Sequence, residues 1–165
     1  MNQPAATQQV LESQLTIRPM RWWDIPSVDT IEGELFPHDR WSTDQWWREL
    51  AALHNHYWVA TVNAEIIGYC GLSVQTPDAD VQTMAIGNQW QGRGHGKVVL
   101  DHLIESSKSL GVRFIFLEVR EDNAPAIALY GHAGFTRMSS RPAYYPDGST
   151  ALIYRRDDRE ANSTE

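Results

Sequence analysis

The sequence predicts a single α/β domain in which helices flank a mixed central β-sheet. Its length of 165 residues is sufficient for one hydrophobic core but short for two. The apolar content of 42% and the charged content of 21% are typical of a globular protein. Strand-like and helix-like runs alternate along the chain without an internal repeat, and this order favours a layered structure of sheet and helices.

We place the domain at residues 14–155. The segment before it, residues 1–13, is polar and has no periodic pattern, and the segment after it, residues 156–165, is a charged tail. Both segments are expected to be disordered, because they offer too few apolar side chains to bury.

Capping and turn residues bound the elements of the first half. Asp24, with Pro26 in the following turn, predicts the start of one helix, and the run Ser42-Thr-Asp-Gln45 predicts the start of a second. Asn63-Ala64 is a short connection between two strand-like runs, which indicates a β-hairpin. The predicted elements are strands at 15–18, 57–62 and 65–74 and helices at 24–35 and 42–53.

The elements of the second half form a β-loop-α-β-α unit followed by two strands. Gly111 and Gly134 are placed to end the two helices, because glycine readily adopts the left-handed conformation found after helix C-termini. A long connection containing the turn sequence Pro146-Asp147-Gly148 joins the last two strands. The predicted elements are strands at 80–86, 113–119, 135–138 and 150–154 and helices at 98–110 and 123–133.

A glycine-rich loop, Trp90-Gln-Gly-Arg-Gly-His-Gly-Lys97, lies between a strand-like run and a helix-like run. Its glycines let the backbone approach a ligand closely, and the N–H groups at a helix start favour an anion such as phosphate. A P-loop is excluded, because Gln91 stands where it requires glycine and Val98 where it requires a hydroxyl. A dinucleotide fingerprint beginning at Gly92 is excluded as well, because its last glycine would fall on Lys97.

Two parts of the chain resemble the GCN5-related N-acetyltransferase (GNAT) superfamily. The pattern Gln91-x-x-Gly94-x-Gly96 resembles the pyrophosphate-binding signature of that superfamily. A further resemblance, to its bacterial ribosomal-protein-alanine N-acetyltransferases, rests on Leu117-Glu-Val-Arg120, Asn123, Ala126-Ile-Ala-Leu-Tyr130, Gly134-Phe135 and Tyr144-Tyr145-Pro146. Together these motifs cover about residues 80 to 155.

The resemblance implies that the strands ending near 86 and 119 splay apart and that acetyl-CoA enters the gap. Main-chain groups of the first strand would then hold the pantetheine arm and stabilise the oxyanion, and the glycine loop would bind the pyrophosphate. An ordinary core strand is the alternative interpretation of residues 84–86. A helix N-cap is the alternative interpretation of Asn123. The implied cofactor residues are Met84, Ala85, Ile86, Gly92, Arg93, Gly94, His95, Gly96, Lys97 and Asn123.

Glu118 and Tyr130 match the catalytic positions of the family. The resemblance implies that Glu118 is the general base, acting through a water molecule or from an environment that makes it more basic. An ion pair with Arg113 or Arg120 is the alternative. Tyr130 would be the general acid, because a phenol pKa of ~10 is close to that of a leaving thiol. A core aromatic is the alternative for Tyr130.

The resemblance implies that the acceptor is the N-terminal α-amine of a protein, an alanine of a small-subunit ribosomal protein, in a ternary complex with acetyl-CoA. An α-amine of pKa ~8 is ~10% neutral at pH 7, whereas a lysine is ~0.04% neutral, so the α-amine needs less help from a base. Lysine side chains or a small amine are the first alternative acceptor, and a non-catalytic acyl-CoA-binding module is a second alternative function. The implied acceptor-binding residues are Leu35, Phe36, Pro37, Tyr144 and Tyr145.

Charge and composition limit the partners. The formal net charge of −7 disfavours nucleic acid and suits a basic peptide or protein, although an ordinary acidic surface has the same charge. Cys70 is the only cysteine and lies in an apolar run, so we predict a buried inert thiol and neither a disulfide nor a thiolate metal cluster. The scattered histidines predict no metal site.

The sequence has no apolar run near the ~18 residues that cross a bilayer, and its start lacks the pattern of a signal peptide. We therefore predict a cytoplasmic protein without a membrane partner, present as a monomer or weak dimer.

Overall fold

The computed structural model describes residues 14–161, with side chains up to residue 159. The disorder predicted at 1–13, and the part of the predicted 156–165 tail from residue 162 onward, lie outside the described residues. The domain end predicted at 155 lies too early, because the last strand continues to Asp157 and a short helix follows it. Arg113 explains the difference: it donates hydrogen bonds of 3.1 and 3.3 Å to the Asp157 carboxylate, so a charged residue of the expected tail is tied to the sheet.

Seven strands form one mixed sheet in the order β1-β2-β3-β4-β5-β7-β6. The strands are β1 (Thr16–Pro19), β2 (Asn55–Val62), β3 (Glu65–Gln75), β4 (Asp78–Ile86), β5 (Phe114–Arg120), β6 (Thr136–Arg141) and β7 (Ala151–Asp157). The helices are α1 (Ile25–Leu35), α2 (Thr43–Ala51), α3 (His95–Ser109), α4 (Ala124–His132) and α5 (Asp158–Ala161). The predicted strands and helices are confirmed in order and type, with ends shifted by no more than three residues.

The starts of α1 and α2 are fixed in different ways. Ser42 caps α2 as predicted, since its hydroxyl oxygen accepts a hydrogen bond of 3.1 Å from the Gln45 N–H. Asp24 precedes α1 but does not cap it, which corrects the prediction. Its carboxylate accepts bonds of 2.7 and 2.8 Å from the Arg18 guanidinium and one of 2.8 Å from the Arg21 N–H. A charged donor is the stronger partner and takes the carboxylate away from the helix.

The hairpin of β2 and β3 turns at Asn63 and Ala64, as predicted. Both residues have positive φ, 50° and 65°, the combination that matches the right-handed twist of paired antiparallel strands.

The central strands β4 and β5 are parallel and pair only where they begin, at Asp78–Asp80 and Phe114–Phe116. Beyond that point β4 remains paired with β3, and β5 remains paired with β7. An extra residue in β4, Gln82, breaks the register with β3 and bends the strand. The two strands therefore diverge towards their carboxyl ends, which confirms the predicted splay.

The sheet buries a separate apolar cluster on each face. α3 and α4 cover one cluster, which contains Ala60 and Leu117. α1 and α2 cover the other, which contains Val59 and Tyr69. Val59 and Ala60 are neighbours in β2, so their side chains point to opposite faces. Cys70 is buried as predicted, and burial raises the pKa of its thiol to about 12, which keeps it protonated and inert. None of the described helices is long and apolar enough to cross a lipid bilayer.

Candidate active site

Two cavities flank the gap between β4 and β5. The helix-side cavity, of about 370 Å³, lies where the end of β4 meets the starts of α3 and α4. The carboxylate cavity, of about 620 Å³, lies between β4, β5 and the connection that follows β6. The predicted residues in the helix-side cavity are Leu35, Phe36, Met84, Ala85, Ile86, Gly92, Gly96, Asn123 and Tyr130. Those in the carboxylate cavity are Glu118, Tyr144 and Tyr145.

The glycine loop leads directly into α3, which starts three residues earlier than predicted, at His95. Gly92 and Gly94 have φ of 73° and 84°, a conformation in which a side chain would be strained. The first N–H groups of a helix have no partner within the helix, and here no side chain caps them. These N–H groups of α3 can therefore bind an anion.

The basic side chains of the loop do not enter the helix-side cavity. The Arg93 guanidinium lies 5.2 Å from the ring centre of Trp90, and Lys97 forms an ion pair of 2.6 Å with Asp101, one turn along α3. The helix start therefore offers main-chain donors to the cavity, with the two cations at its outer surface.

Gln91 fixes the loop against the end of β4. Its side-chain amide donates a hydrogen bond of 2.9 Å to the Ile86 carbonyl, on the strand edge that has no partner beyond the splay. Gln91, the first residue of the glycine pattern, therefore links the loop to β4 and also lines the helix-side cavity.

Asn123 and Tyr130 lie at the two ends of α4, two turns apart, and both line the helix-side cavity. The Asn123 side chain accepts a hydrogen bond of 3.2 Å from the Ala126 N–H, so it caps the helix while facing the cavity. Tyr130 is buried, and burial raises its pKa to about 12. This value is higher than the ~10 expected from the sequence.

The Glu118 side chain in the carboxylate cavity is about one-third exposed and binds neither of the arginines considered from the sequence. It accepts a hydrogen bond of 2.9 Å from the Arg141 guanidinium. Arg113 pairs with Asp157, whereas Arg120 pairs with Asp122 and Asp147.

Aromatic rings and a second carboxylate complete this cavity. Tyr144 and Tyr145 meet edge to face at 5.2 Å, and the Arg141 guanidinium lies 5.7 Å from the Tyr144 ring centre. Burial raises the pKa of Asp80, and the nearby charges of Asp78 and Glu118 add to the effect. The cavity thus combines aromatic walls with negative charge, which suits a cationic group.

The structure brings most predicted site residues to the two cavities and leaves out a few. Pro37, Arg93, Gly94, His95 and Lys97 line neither cavity. Pro37 is exposed beyond the end of α1. Arg93, Gly94 and Lys97 are exposed at the start of α3, and His95 there is half-buried. The predicted acceptor-binding residues are divided, with Leu35 and Phe36 in one cavity and the two tyrosines in the other.

The lining residues that were not predicted include Trp41, Asp80, Gln91 and Arg141. Arg141 lies three residues before the tyrosine pair, and Asp80 begins the strand predicted at 80–86, so both had a local signal. Trp41 had none, because its role depends on how the connection between α1 and α2 folds back. Among residues 14–159, no group of three or more His, Cys, Asp or Glu side chains is arranged to hold a metal ion.

A splayed pair of parallel strands, with a glycine loop and an uncapped helix at its mouth, defines a class of protein. Residues 18–135 match the Acetyltransferase (GNAT) family, and the chain belongs to that family of acetyltransferase enzymes.

Relatives with assigned names narrow the class. The chain is 37% identical to N-alpha-acetyltransferase RimI of Mycobacterium tuberculosis over 149 residues, which cover 87% of this chain and 92% of that protein. It is 31% identical to the [ribosomal protein bS18]-alanine N-acetyltransferase of Escherichia coli K12, over 79% of this chain and 87% of that protein. The crystal structure of the Escherichia coli ribosomal-protein-S18-alanine N-acetyltransferase superimposes with a TM-score of 0.81 at 29% identity, covering 87% of this chain and 94% of the other.

Proposed function

We propose that this enzyme transfers the acetyl group of acetyl-CoA to the N-terminal α-amine of a protein, by direct transfer in a ternary complex. The observation that carries the proposal is the position of Glu118 and Tyr130 on opposite faces of the splayed strands. Leu117 and Val119 belong to the core under α3 and α4, so Glu118 between them faces the other side. Tyr130 lies in α4, on the core side. An acceptor and a thioester that meet in the gap would have a carboxylate on one side and a phenol on the other.

The residues of the helix-side cavity fit acetyl-CoA. The uncapped N–H groups of α3 suit its diphosphate, and the unpaired edge of β4 at 84–86 offers main-chain groups to the amides of its pantetheine arm. Gly96 places no side chain at the helix start, and an added Cβ would make an ordinary van der Waals contact of 3.5 Å with Leu129. Bound acetyl-CoA would supply the acetyl group as a reactive thioester.

Glu118 would take the proton from the incoming ammonium group. A carboxylate is a weak base for this purpose, and a water molecule between the two groups would relay the proton. Main-chain N–H groups of β4 would stabilise the negative charge that develops on the carbonyl oxygen, as in other acyl-transfer sites. Each of these roles uses groups that line the gap.

Tyr130 would act first as a hydrogen-bond donor to the leaving sulfur. With a pKa of about 12 it stays protonated at neutral pH. Complete transfer of its proton to a thiolate of pKa ~8.5–9 is uphill by roughly 4 kcal/mol, so hydrogen bonding that lowers the charge on sulfur is the larger part of its role.

Two observations support a protein N-terminus as the acceptor. The relatives named above act on α-amines by their names, and one acts on an alanine of a ribosomal protein. The carboxylate cavity is open, aromatic and acidic, in a chain of net charge −7. These features suit the cationic N-terminus of a basic protein. A ribosomal protein as substrate would place the enzyme in the cytoplasm.

Acetylation of three matched acceptors tests the proposal. One is a peptide with a free N-terminal alanine and an internal lysine, the second is the same peptide with a blocked N-terminus, and the third is a small polyamine. Each is incubated with acetyl-CoA and enzyme, and the acetyl group is located by fragment mass spectrometry. We expect acetylation at the α-amine of the free peptide alone. Acetyl groups mainly on lysine or on the polyamine would replace the proposal with the first alternative, and cofactor binding without turnover on any amine would favour the non-catalytic module.

A further inference from the structure

The mechanism above does not use Glu32, a carboxylate that is 3% exposed in the middle of the fold. It lies in α1 and has a partner for each oxygen. The Tyr69 hydroxyl, from β3, donates to Oε2, and the main-chain N–H of Trp41 lies 3.4 Å from Oε1. Burial raises the pKa of Glu32, and the two donors oppose the rise only in part.

Glu32 is connected to both cavities through the segment that follows it. Leu35 and Phe36, one turn further along, line the helix-side cavity. Trp41, at the far end of the connection between α1 and α2, lines the carboxylate cavity. The Glu32 carboxylate therefore binds the α1–α2 connection near its end, at Trp41. The helix that carries Glu32, α1, leads into the start of the same connection.

Tyr69 anchors this arrangement in the sheet. The Trp46 ring packs at 5.6 Å from Tyr69 and at 4.7 Å from Trp41, so Trp46 joins the cavity-lining Trp41 ring to the core. Tyr69 and Trp46 are fully buried. A displacement of Trp41 would disturb its packing on Trp46 and would break the contact between its N–H and the Glu32 carboxylate.

A second contact braces the same connection. The Arg40 guanidinium donates hydrogen bonds of 2.8 and 2.9 Å to the Asp29 carboxylate, one turn before Glu32 on α1. This pair is partly exposed, so it contributes little by itself. The two contacts together hold Arg40 and Trp41, near the end of the connection, against the helix that precedes it.

A buried carboxylate is costly compared with an apolar residue of the same size, so stability alone does not account for Glu32. We propose that Glu32 is a positioning residue for the acceptor: by binding Tyr69 and the Trp41 N–H, it holds the α1–α2 connection where the acceptor chain enters. This inference rests on the proposed function for the identity of the acceptor. It does not place Glu32 in contact with any substrate.

Steady-state kinetics of Glu32→Ala and Glu32→Gln test the positioning role, with Glu49→Gln as the matched control. Glu49 accepts a bond of 2.6 Å from the hydroxyl of Tyr57, whose ring also packs on Trp46, but it forms no hydrogen bond with residues 36–42. We expect Glu32→Ala to raise the KM for the acceptor peptide about tenfold, with the KM for acetyl-CoA within twofold of wild type. Glu32→Gln retains one acceptor oxygen and should raise the peptide KM less. Glu49→Gln should leave the peptide KM unchanged despite a similar loss of thermal stability.

Two kinetic results would overturn the inference. One is an unchanged peptide KM in Glu32→Ala with only a lower melting temperature, which is the behaviour of a merely structural residue. The other is an equal rise of peptide KM in Glu49→Gln.

Amide hydrogen exchange separates this inference from the proposed function, because it needs no substrate. The Trp41 amide should be protected in the wild type and in Glu49→Gln and should exchange at least tenfold faster in Glu32→Ala. Equal protection in all three proteins would contradict the positioning role, whichever amine the enzyme acetylates. Loss of protection together with acetylation of a different amine would retain the positioning role and reject the proposed acceptor.

Discussion

The Arg141 guanidinium reaches over β7 to donate a hydrogen bond of 2.9 Å to the Glu118 carboxylate. The base proposed for the reaction is thus already paired with a cation. An incoming ammonium group is also a cation, so it would compete with Arg141 for the same carboxylate. The ion pair is half-exposed and therefore weak enough to be displaced.

Replacing Arg141 by alanine should make acceptor binding easier. The exposed pair is worth at most ~1 kcal/mol, which corresponds to about a fivefold change in an equilibrium constant. We expect Arg141→Ala to lower the KM for the acceptor peptide by two- to fivefold without changing the KM for acetyl-CoA. A raised peptide KM would mean that Arg141 binds the acceptor directly and would contradict the competition described here.

Replacing Glu118 by glutamine removes the proton acceptor while keeping the shape of the side chain. Turnover should fall by ~10² or more, and acetyl-CoA binding measured by calorimetry should stay within about twofold of wild type. Glu105→Gln is the matched control, because Glu105 is an exposed carboxylate that lines neither cavity of the site. Unchanged turnover in Glu118→Gln would remove this residue from the mechanism.

The raised pKa of Tyr130 predicts the shape of the pH–rate profile. An acid with a pKa of about 12 remains protonated up to that pH, so it does not cause a loss of activity at pH 8–10. The wild-type kcat/KM should rise as the α-amine loses its proton near pH ~8 and then stay level to about pH 10. Tyr130→Phe should lower kcat at every pH in this range. A descending limb near pH 10 that is absent from Tyr130→Phe would show that the phenol titrates lower than its burial implies.

Asp157 predicts how stability depends on pH. The Arg113 guanidinium holds the pKa of Asp157 below its usual value, with burial opposing the shift. A carboxyl group whose folded pKa is lowered contributes stability above its unfolded pKa of ~3.9, and this contribution is lost as the pH falls through the folded value. The free energy of unfolding in urea should therefore differ most between wild type and Asp157→Asn at pH 7, and the difference should shrink below pH ~3.9. Asp101→Asn, which breaks an exposed pair, serves as the control. A difference that grows on acidification would contradict the assignment.

The order of strands and helices could be predicted because each element carries a local pattern: alternating apolar residues, the Ser42 cap and the turn at Asn63-Ala64. The splay of β4 and β5 followed from the family resemblance, and the pairing of these strands only where they begin confirms it. Six of the residues that the resemblance implied for the cofactor line the helix-side cavity.

The contacts that control the site could not be predicted because they join residues far apart in the chain. Arg141 and Glu118 are 23 residues apart and lie on strands with β7 between them. Tyr69 and Glu32 are 37 residues apart, and their contact depends on how α1 crosses β3. Each of these side chains had several possible partners of opposite charge or matching polarity, and only the tertiary fold selects among them.

The proposed reaction depends most on acetyl-CoA binding at the uncapped start of α3, and a calorimetric titration with acetyl-CoA tests this binding directly. Gly96→Glu is the decisive variant, because a carboxylate there is favourable for the helix but competes with the diphosphate for the same N–H groups. Gly131→Glu makes the identical change on α4, where an added Cβ meets nothing within 4 Å. We predict one binding site in the wild type and in Gly131→Glu, and at least a hundredfold weaker binding in Gly96→Glu. No heat of association in the wild type, or equal affinity in both variants, would contradict the assignment of the site.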